Sequence, residues 1–497
     1  MSPTLGQAIA AAPAVDIGII INLRAVEAPA GKRDRRDMDQ IRMRCQLALR
    51  HARVSAIALM LVITLGSPMT FADEPRALDE VKERGWDFKQ TQVELHPVAD
   101  GVWRATGTAN AYIIQTSAGA VVIDTGLPHQ AMQVKEQLES AVKGPIQKLI
   151  FTHAHTDHIG GAKLWKQAYP DAEIIAHEDF SKVQHELTIL SEYYSRRGAK
   201  ILPELVALSK KARSSNPLFE PGGLVPDVVV DNDEPLVLQV GDTEIHVLAL
   251  PAGEGRDGLA VWLPKQKLLF TGDMTGPHFP MFPNLYSIRG ERYREFLDYI
   301  HAVDHVISLK PEIIAHGHFD VIRGADYIEL ALTRMRDAVQ YVHDEVVAGM
   351  NAGKSLDVLM QEIKLPEHLK LSEGYGKVAF SVRGLWETYT GWFQFQSTTE
   401  LYPVPARSVY PDLVVAAGGP DVIQQIAQAK LDGGEPEKAL HLVEVAETAG
   451  SPSASLRALK REVLQNLRSR AIRQTNNFME VSWLDARIAE LAPETKD

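Results

Sequence analysis

Cysteine is almost absent from this chain of 497 residues, because Cys45 is the only one. A single thiol cannot form an internal disulfide or a multi-thiolate metal site, so both are excluded. An excess of positive charge is also lacking, since 64 acidic residues outnumber 52 basic ones and the net charge is −12. A nucleic acid is therefore not expected as the main partner, because phosphate binding needs a basic face.

An apolar run long enough to cross a membrane is not evident either. The stretch from Val54 to Leu65 is shorter than the roughly 20 residues that a bilayer span requires. Basic residues precede this stretch and a small residue, Ala72, follows it, so residues 43–72 have the organisation of a cleavable export signal. We expect a periplasmic or secreted protein without a stable membrane span after cleavage. A retained anchor or a buried helix is the alternative.

Alternation of strand-like and helix-like patterns predicts an α/β class of fold. The predicted division is an extension that is non-native or disordered (1–42), the export signal (43–72), an α/β domain (73–330) and a helical region (331–497). Helices are predicted in the last region at 355–363, 376–392, 418–431, 436–448 and 453–471. Residues 178–216 also have a helical pattern, as a lid over a site or as a packing pair of helices.

A dense group of metal-ligand residues follows a short apolar strand. His153, His155, Asp157 and His158 lie within six positions. Two histidines spaced by two residues at a strand end point the same way. We therefore predict two adjacent ions, one held by His153 and His155 and the other by Asp157 and His158. Imidazole and carboxylate ligands without thiolate favour zinc. A polar loop that happens to be rich in histidine is the alternative.

Two zinc ions need further ligands, and three later strand ends offer them. Each candidate stands beside glycine after an apolar run: Glu254, Asp273 and His318. His316 is an alternative to His318. Asp157, Glu254 and Asp273 would cancel three of the four positive charges of two zinc ions, which leaves a site that attracts anions. Asp157 and Asp273 are also the predicted catalytic carboxylates.

The run His153–His158 resembles the HxHxDH signature of the metallo-β-lactamase superfamily. Glu254 in place of a histidine, followed 19 positions later by an acidic residue, is similar to the alkylsulfatase branch, although that branch usually has glutamate where Asp273 stands. The resemblance implies an αββα sandwich. The segments 374–378 and 389–393 resemble the branch's helical dimerisation domain, which implies a homodimer. The sterol-carrier-like domain that ends longer members is not expected here.

The resemblance also implies a site for the sulfate group, formed by Asn284, Arg289 and Arg294. Planar guanidinium groups suit a tetrahedral oxyanion, and Arg292 is an alternative. We thus predict a dizinc hydrolase that cleaves sulfate monoesters of alkyl or other apolar alcohols with a metal-activated water. Other dizinc hydrolases, such as a lactonase, a β-lactamase or a phosphoesterase, are alternatives. A metal-dependent binding protein is a further alternative.

Overall fold

The computed structural model describes residues 92–232, 234–251, 253–290 and 294–492. The predicted extension (1–42) and export signal (43–72) lie outside these residues and stay predictions. Strands and helices alternate up to Arg323, and helices follow from Ala325. This order confirms the predicted α/β fold class with a helical region after it. Along the described residues, none of the helices combines the length and the apolar content that a bilayer crossing requires.

The first sheet contains seven strands in chain order. The first four are antiparallel, and from β4 onwards neighbouring strands are parallel. The carboxyl ends of β4 to β7 therefore lie at one edge. The strands are β1 Glu94–Ala99, β2 Val102–Thr106, β3 Ala111–Thr116, β4 Gly119–Ile123, β5 Ile146–Ile150, β6 Glu173–His177 and β7 Val228–Val230.

The second sheet contains six strands in the order β13-β12-β11-β10-β9-β8. Because β10 is antiparallel to both β9 and β11, and β11 is parallel to β12, the carboxyl ends of β9, β11 and β12 share one edge. The strands are β8 Leu236–Val240, β9 Thr243–Ala249, β10 Leu259–Leu263, β11 Leu268–Gly272, β12 Ile313–His316 and β13 Ile322–Arg323.

Two sheets packed face to face form the centre of the molecule. Apolar residues from both sheets, such as Ile123 and Val261, share one buried cluster. The outer face of the first sheet packs on α1 and α3, where Trp165 is fully buried. The outer face of the second sheet packs on α7 and α8. The helices up to this point are α1 Ala131–Ser140, α2 Thr156–Ile159, α3 Ala162–Ala168, α4 Phe180–Ile189, α5 Ser191–Gly198, α6 Pro203–Ser215, α7 Phe296–Leu309 and α8 Ala325–Asn351.

The helical region begins with α8, whose buried stripe runs from Ile328 to Val346 with helical spacing. The predicted boundary at 330 falls inside this helix. All five predicted helices are found, and α15 and α11 are additional. The remaining helices are α9 Leu356–Glu362, α10 Val378–Thr390, α11 Tyr410–Ala416, α12 Pro420–Asp432, α13 Pro436–Ala446, α14 Ala454–Gln474 and α15 Phe478–Glu490.

Candidate metal centre

The first loop of the site follows β5 and supplies four side chains. His153 lies in the turn after the strand, His155 stands at the N-cap of the short helix α2, and α2 carries Asp157 and His158. The Nε2 atom of His153 lies 3.0 Å from Nδ1 of His155. The rings of His153 and His158 are 4.2 Å apart between centroids. Two adjacent ligand pairs therefore lie side by side, as the sequence predicts.

Three strand ends of the second sheet bring the remaining predicted ligands to this loop. Glu254 follows β9, Asp273 follows β11 and His318 follows β12. The ligand atoms fall into two groups, each within 4.8 Å: a first group of His153, His155 and Glu254, and a second group of Asp157, His158, Asp273 and His318. All seven predicted metal ligands are thus assembled, and their ligation of an ion stays a prediction.

The donor set and its buried atoms fit metal ions. Nε2 of His158 and Oδ1 of Asp273 are 3.3 Å apart, and both are buried without a hydrogen-bond partner among the described residues. Such orphaned atoms are costly unless something binds them. Nε2 of His318 lies 3.1 Å from Oδ2 of Asp273. Imidazole nitrogens with carboxylate oxygens in two compact groups are the ligand sets that suit zinc.

Ionic interactions in and around the second ligand group shift the pKa values of His158 and Asp273. Burial disfavours the charged form of His158, but the carboxylates of Asp273, Asp157 and Asp124 raise its pKa well above the usual range. Burial likewise disfavours ionised Asp273, but the imidazoles of His318 and His158 hold its pKa well below the usual range. Ionised carboxylates and imidazoles therefore stabilise each other here, and protons and metal ions compete for the same nitrogen atoms.

The imidazole of His158 is oriented by Asp124, a partner that sequence reasoning missed. Asp124 follows β4 in a left-handed conformation (φ 58°), and its Oδ2 lies 2.8 Å from Nδ1 of His158. Both carboxylate oxygens of Asp124 also accept hydrogen bonds from Thr152. Such outer contacts select the tautomer and direction of a ligating histidine. The acidic residue at the end of an apolar strand was the available signal for Asp124.

Asp257 is another missed residue, with no signal in the sequence. Its Oδ2 accepts a hydrogen bond from the N–H of Ala154 at 2.8 Å, so it holds the loop between His153 and His155. The side chain is buried, and burial raises its pKa from 3.8 to about 7. A buried carboxyl without a full charge partner holds its proton more tightly in this way.

The loop after β12 distinguishes His318 from His316. Asn110 and Tyr112 of the first sheet donate hydrogen bonds to the carbonyl of His316, at 3.0 and 2.6 Å. The Nε2 atom of His316 lies 2.9 Å from a main-chain oxygen of Asp320, and His316 belongs to neither ligand group. Gly317 must be glycine because an added Cβ would lie 1.9 Å from Oδ1 of Asp273. The geometry therefore favours His318 as the ligand.

The three residues predicted to bind sulfate, Asn284, Arg289 and Arg294, have different surroundings in the structure. Arg294 is buried, and its Nη2 lies 2.6 Å from Oε1 of Glu254. It also donates to the carbonyls of Glu254 and Asn284. Arg294 thus forms an ion pair with a predicted metal ligand, a role that sequence reasoning did not foresee. The Nδ2 atom of Asn284 is buried without a hydrogen-bond partner among the described residues. Arg292 lies outside them.

A cavity of about 270 Å³ opens beside the second ligand group. Arg289, Asp157, Asp273 and His318 line it, and helices α4 to α6 line it as well. The helical pattern predicted for residues 178–216 is confirmed by α4 to α6. These helices form one wall of the cavity. Apolar side chains contribute much of this wall: Leu127, Leu187, Leu202, Leu205, Val206 and Met479. An anionic head and an apolar body can thus be accommodated in one space.

Comparisons with known proteins agree with this architecture. Residues 104–318 match the family described as Metallo-beta-lactamase superfamily, and residues 356–484 match Alkyl sulfatase dimerisation. A linear primary-alkylsulfatase from a Pseudomonas species is 27% identical over 343 residues, which are 65% of this chain and 63% of that protein. An alkyl/aryl-sulfatase from Saccharomyces cerevisiae, BDS1, is 23% identical over 364 residues, covering 69% of this chain and 55% of its own.

A solved structure shows the same fold over most of the chain. The stereoselective inverting sec-alkylsulfatase Pisa1 from a Pseudomonas species has a TM-score of 0.68 at 22% identity, with 81% of this chain and 66% of that chain covered. The chain therefore contains a metallo-β-lactamase superfamily domain. The alkyl sulfatase dimerisation domain that follows gives it the domain arrangement of the alkylsulfatase branch, which confirms the resemblance. The chain spans less than two thirds of the length of the curated alkylsulfatases named here.

Proposed function

We propose that this protein is a dizinc hydrolase that cleaves sulfate monoesters of alkyl or other apolar alcohols to the alcohol and sulfate. The observation that carries the proposal is the combination of two adjacent ligand groups with a partly apolar cavity, which opens beside the second group and which the guanidinium group of Arg289 also lines. The relatives named as alkylsulfatases support the same substrate class.

The proposed roles follow from the contacts. One zinc ion would be held by His153, His155 and Glu254, and the other by Asp157, His158, Asp273 and His318. Bound zinc would supply Lewis acidity that lowers the pKa of a water molecule and polarises an ester oxygen.

The protein's own groups would orient the substrate. Arg289 lines the cavity and would bind the sulfate oxygens through charge-assisted hydrogen bonds. The Nδ2 atom of Asn284, which has no hydrogen-bond partner among the described residues, would be a second donor to the same anion. Arg294 would act indirectly, because its ion pair with Glu254 fixes the carboxylate and balances its charge.

Zinc content and hydrolysis measured on the same preparation test the proposal. The zinc-loaded protein should contain two ions per chain and release sulfate from alkyl sulfates of several chain lengths. A lactone, a β-lactam and a phosphodiester assayed in parallel represent the alternative hydrolases, and preference for any of these would replace the substrate class. Replacing Asp157 with Ala should abolish turnover. Full cellular function without turnover in that variant would favour the binding-protein alternative.

We also propose that the protein is periplasmic or secreted and that it forms a homodimer. Periplasmic or secreted location rests on the export-signal pattern of residues 43–72, and cell fractionation would test it. A homodimer rests on the match of residues 356–484 to the dimerisation family. Exposed apolar side chains in the helical region, such as Trp392, Phe395 and Val415, are compatible with an interface.

A further inference from the structure

Helix α5 contacts the turn that carries Arg289. The guanidinium group of Arg197 donates from Nε to the carbonyl of Arg289 at 3.0 Å and from Nη2 to the carbonyl of Ile288 at 3.4 Å. Its Nη1 donates to the hydroxyl of Tyr193 at 3.0 Å. One side chain therefore joins a helix of the cavity wall to two consecutive peptide groups of the turn.

The turn is closely fitted to this guanidinium group. Gly290 has a φ of +81°, and a Cβ added there would lie 2.3 Å from Nη2 of Arg197. Within the turn, the N–H of Gly290 donates to the carbonyl of Ser287 at 3.1 Å. Both the main-chain N–H and Nε of Arg289 donate to Oγ of Ser287, each at 3.2 Å. The side chain of Arg289 is thus oriented by Ser287, which belongs to the same turn that Arg197 contacts.

The charge on Arg197 is directed at neutral oxygens. Its contacts are two carbonyls and a hydroxyl, and no carboxylate pairs with it among the described residues. Arg289 and Arg294 differ, because Glu254 lies 3.5 Å from Nη2 of Arg289 and 2.6 Å from Nη2 of Arg294. The Arg197 guanidinium therefore binds the main chain of the turn with its full charge, and hydrogen bonds from a charged donor are stronger than those between neutral groups.

We propose that Arg197 is a positioning residue that holds the turn of residues 287–290, so that Arg289 presents its guanidinium group to the anionic part of the substrate. Helix α5 also lines the cavity through Ser191, Tyr194 and Ser195. The helix α5, which lines the part of the cavity proposed for the alcohol, is consequently hydrogen-bonded to the turn that carries the anion-binding Arg289. This inference rests on the proposed function for the identity of the anion.

The test compares Arg197→Ala with Arg197→Lys and with Arg196→Ala, a neighbour that is exposed on the same helix. In Arg197→Ala, KM for an alkyl sulfate and the inhibition constant of inorganic sulfate should both rise by about tenfold, since two charge-assisted hydrogen bonds are lost. The kcat should change less than about twofold because the turn is displaced but Arg289 remains. Arg197→Lys should be intermediate, because lysine retains the charge but not the fork. Arg196→Ala should match wild type.

Two results would overturn the proposal. One is equal KM and sulfate inhibition in Arg197→Ala and Arg196→Ala. The other is a joint loss of kcat, zinc content and thermal stability in Arg197→Ala without a selective rise in KM, which would indicate a general structural role.

Hydrogen exchange separates this inference from the proposed function. Amide exchange of residues 288–290 needs no substrate and should be faster in Arg197→Ala than in Arg196→Ala. If wild type fails to hydrolyse any sulfate ester while this difference is present, the proposed function fails and the positioning role stands. Equal exchange in the two variants contradicts the positioning role whatever the substrate.

Discussion

Glu254 connects more parts of the site than its neighbours do. Its Oε1 lies 3.5 Å from Nδ1 of His155, 2.6 Å from Nη2 of Arg294 and 3.5 Å from Nη2 of Arg289. The imidazole of His155, a predicted metal ligand, and two arginines thus all contact the carboxylate of Glu254. This arrangement explains why a histidine at this position would not be equivalent: it would leave the buried charge of Arg294 without its partner.

Replacing Glu254 with Gln should therefore weaken the first metal group. The amide keeps the shape of the side chain but removes its charge, so we expect affinity for one zinc ion to fall by at least about tenfold. Zinc per chain after dialysis should drop by about one ion, measured by atomic emission. Glu136→Gln, an exposed change on α1, is the control. Unchanged zinc content in a folded Glu254→Gln protein would contradict the assignment.

Asp257 should make stability depend on pH. Burial raises its pKa from 3.8 to about 7, so between these values the folded state retains a proton that the unfolded chain has released. Its contribution to the free energy of unfolding is complete below about pH 4 and is lost as the pH rises to about 7, by up to about 1.4 kcal/mol per pH unit. Asp257→Asn should remove this slope in urea unfolding across the window.

The control for that experiment is Asp171→Asn, an exposed substitution. Because wild type loses stability with rising pH and Asp257→Asn does not, the variant should gain stability relative to wild type towards pH 7. Identical pH dependence in Asp257→Asn and wild type would show that this carboxyl does not titrate in the window.

At the scale of elements, one face of α6 shapes the cavity. Leu202, at its N-cap, and Leu205, Val206, Ser209 and Arg213 within it all line the space. Their spacing of three or four residues places them on one side of the helix. The outward side carries Leu208, which is exposed. The amphipathic pattern of residues 203–215 therefore has a functional face as well as a solvent face.

Leu205→Trp should narrow the cavity and discriminate among substrates by size. A larger side chain at this position should raise KM for long-chain alkyl sulfates by about tenfold and leave short-chain esters little affected, because overpacking penalises the bulkier occupant. Steady-state kinetics across a chain-length series measures the effect. Leu208→Trp, on the outward side of the same helix, should keep the wild-type profile. A uniform loss across all chain lengths would contradict this role for the α6 face.

At the scale of the whole molecule, the helical region carries large apolar side chains that are exposed on its surface. Phe395 is 86% exposed, Val415 is 80% exposed and Trp392 is 74% exposed. Exposed apolar side chains of this size are candidates for an interface. The match of this region to the dimerisation family gives a second copy of the chain as its proposed partner.

Charges on this surface should prevent assembly. The double change Phe395→Glu and Val415→Glu should shift the expected dimer towards monomer in sedimentation experiments, because each unpaired charge buried in the interface costs several kcal/mol. The control is Val237→Glu, an exposed apolar position on the edge strand β8. A double variant that sediments like wild type as a dimer would place the interface elsewhere.

Local patterns were sufficient to predict a large part of this molecule. The first loop could be identified because four ligand-type residues lie within six positions after a strand, and the five helices predicted between residues 355 and 471 are all found. Glu254, Asp273 and His318 could be proposed because each follows an apolar run beside glycine. These signals are local, and local signals are what a sequence displays directly.

Contacts between residues distant in the chain were decided only by the tertiary structure. Asp124 behind His158, Asp257 behind Ala154 and Arg294 against Glu254 each depend on which strand ends meet at the sheet edges. The link from Arg197 to the turn of Arg289 joins residues 92 positions apart. The residue types that chemistry needs were therefore readable from the chain, but the partners that orient them became evident only when two sheets were packed face to face.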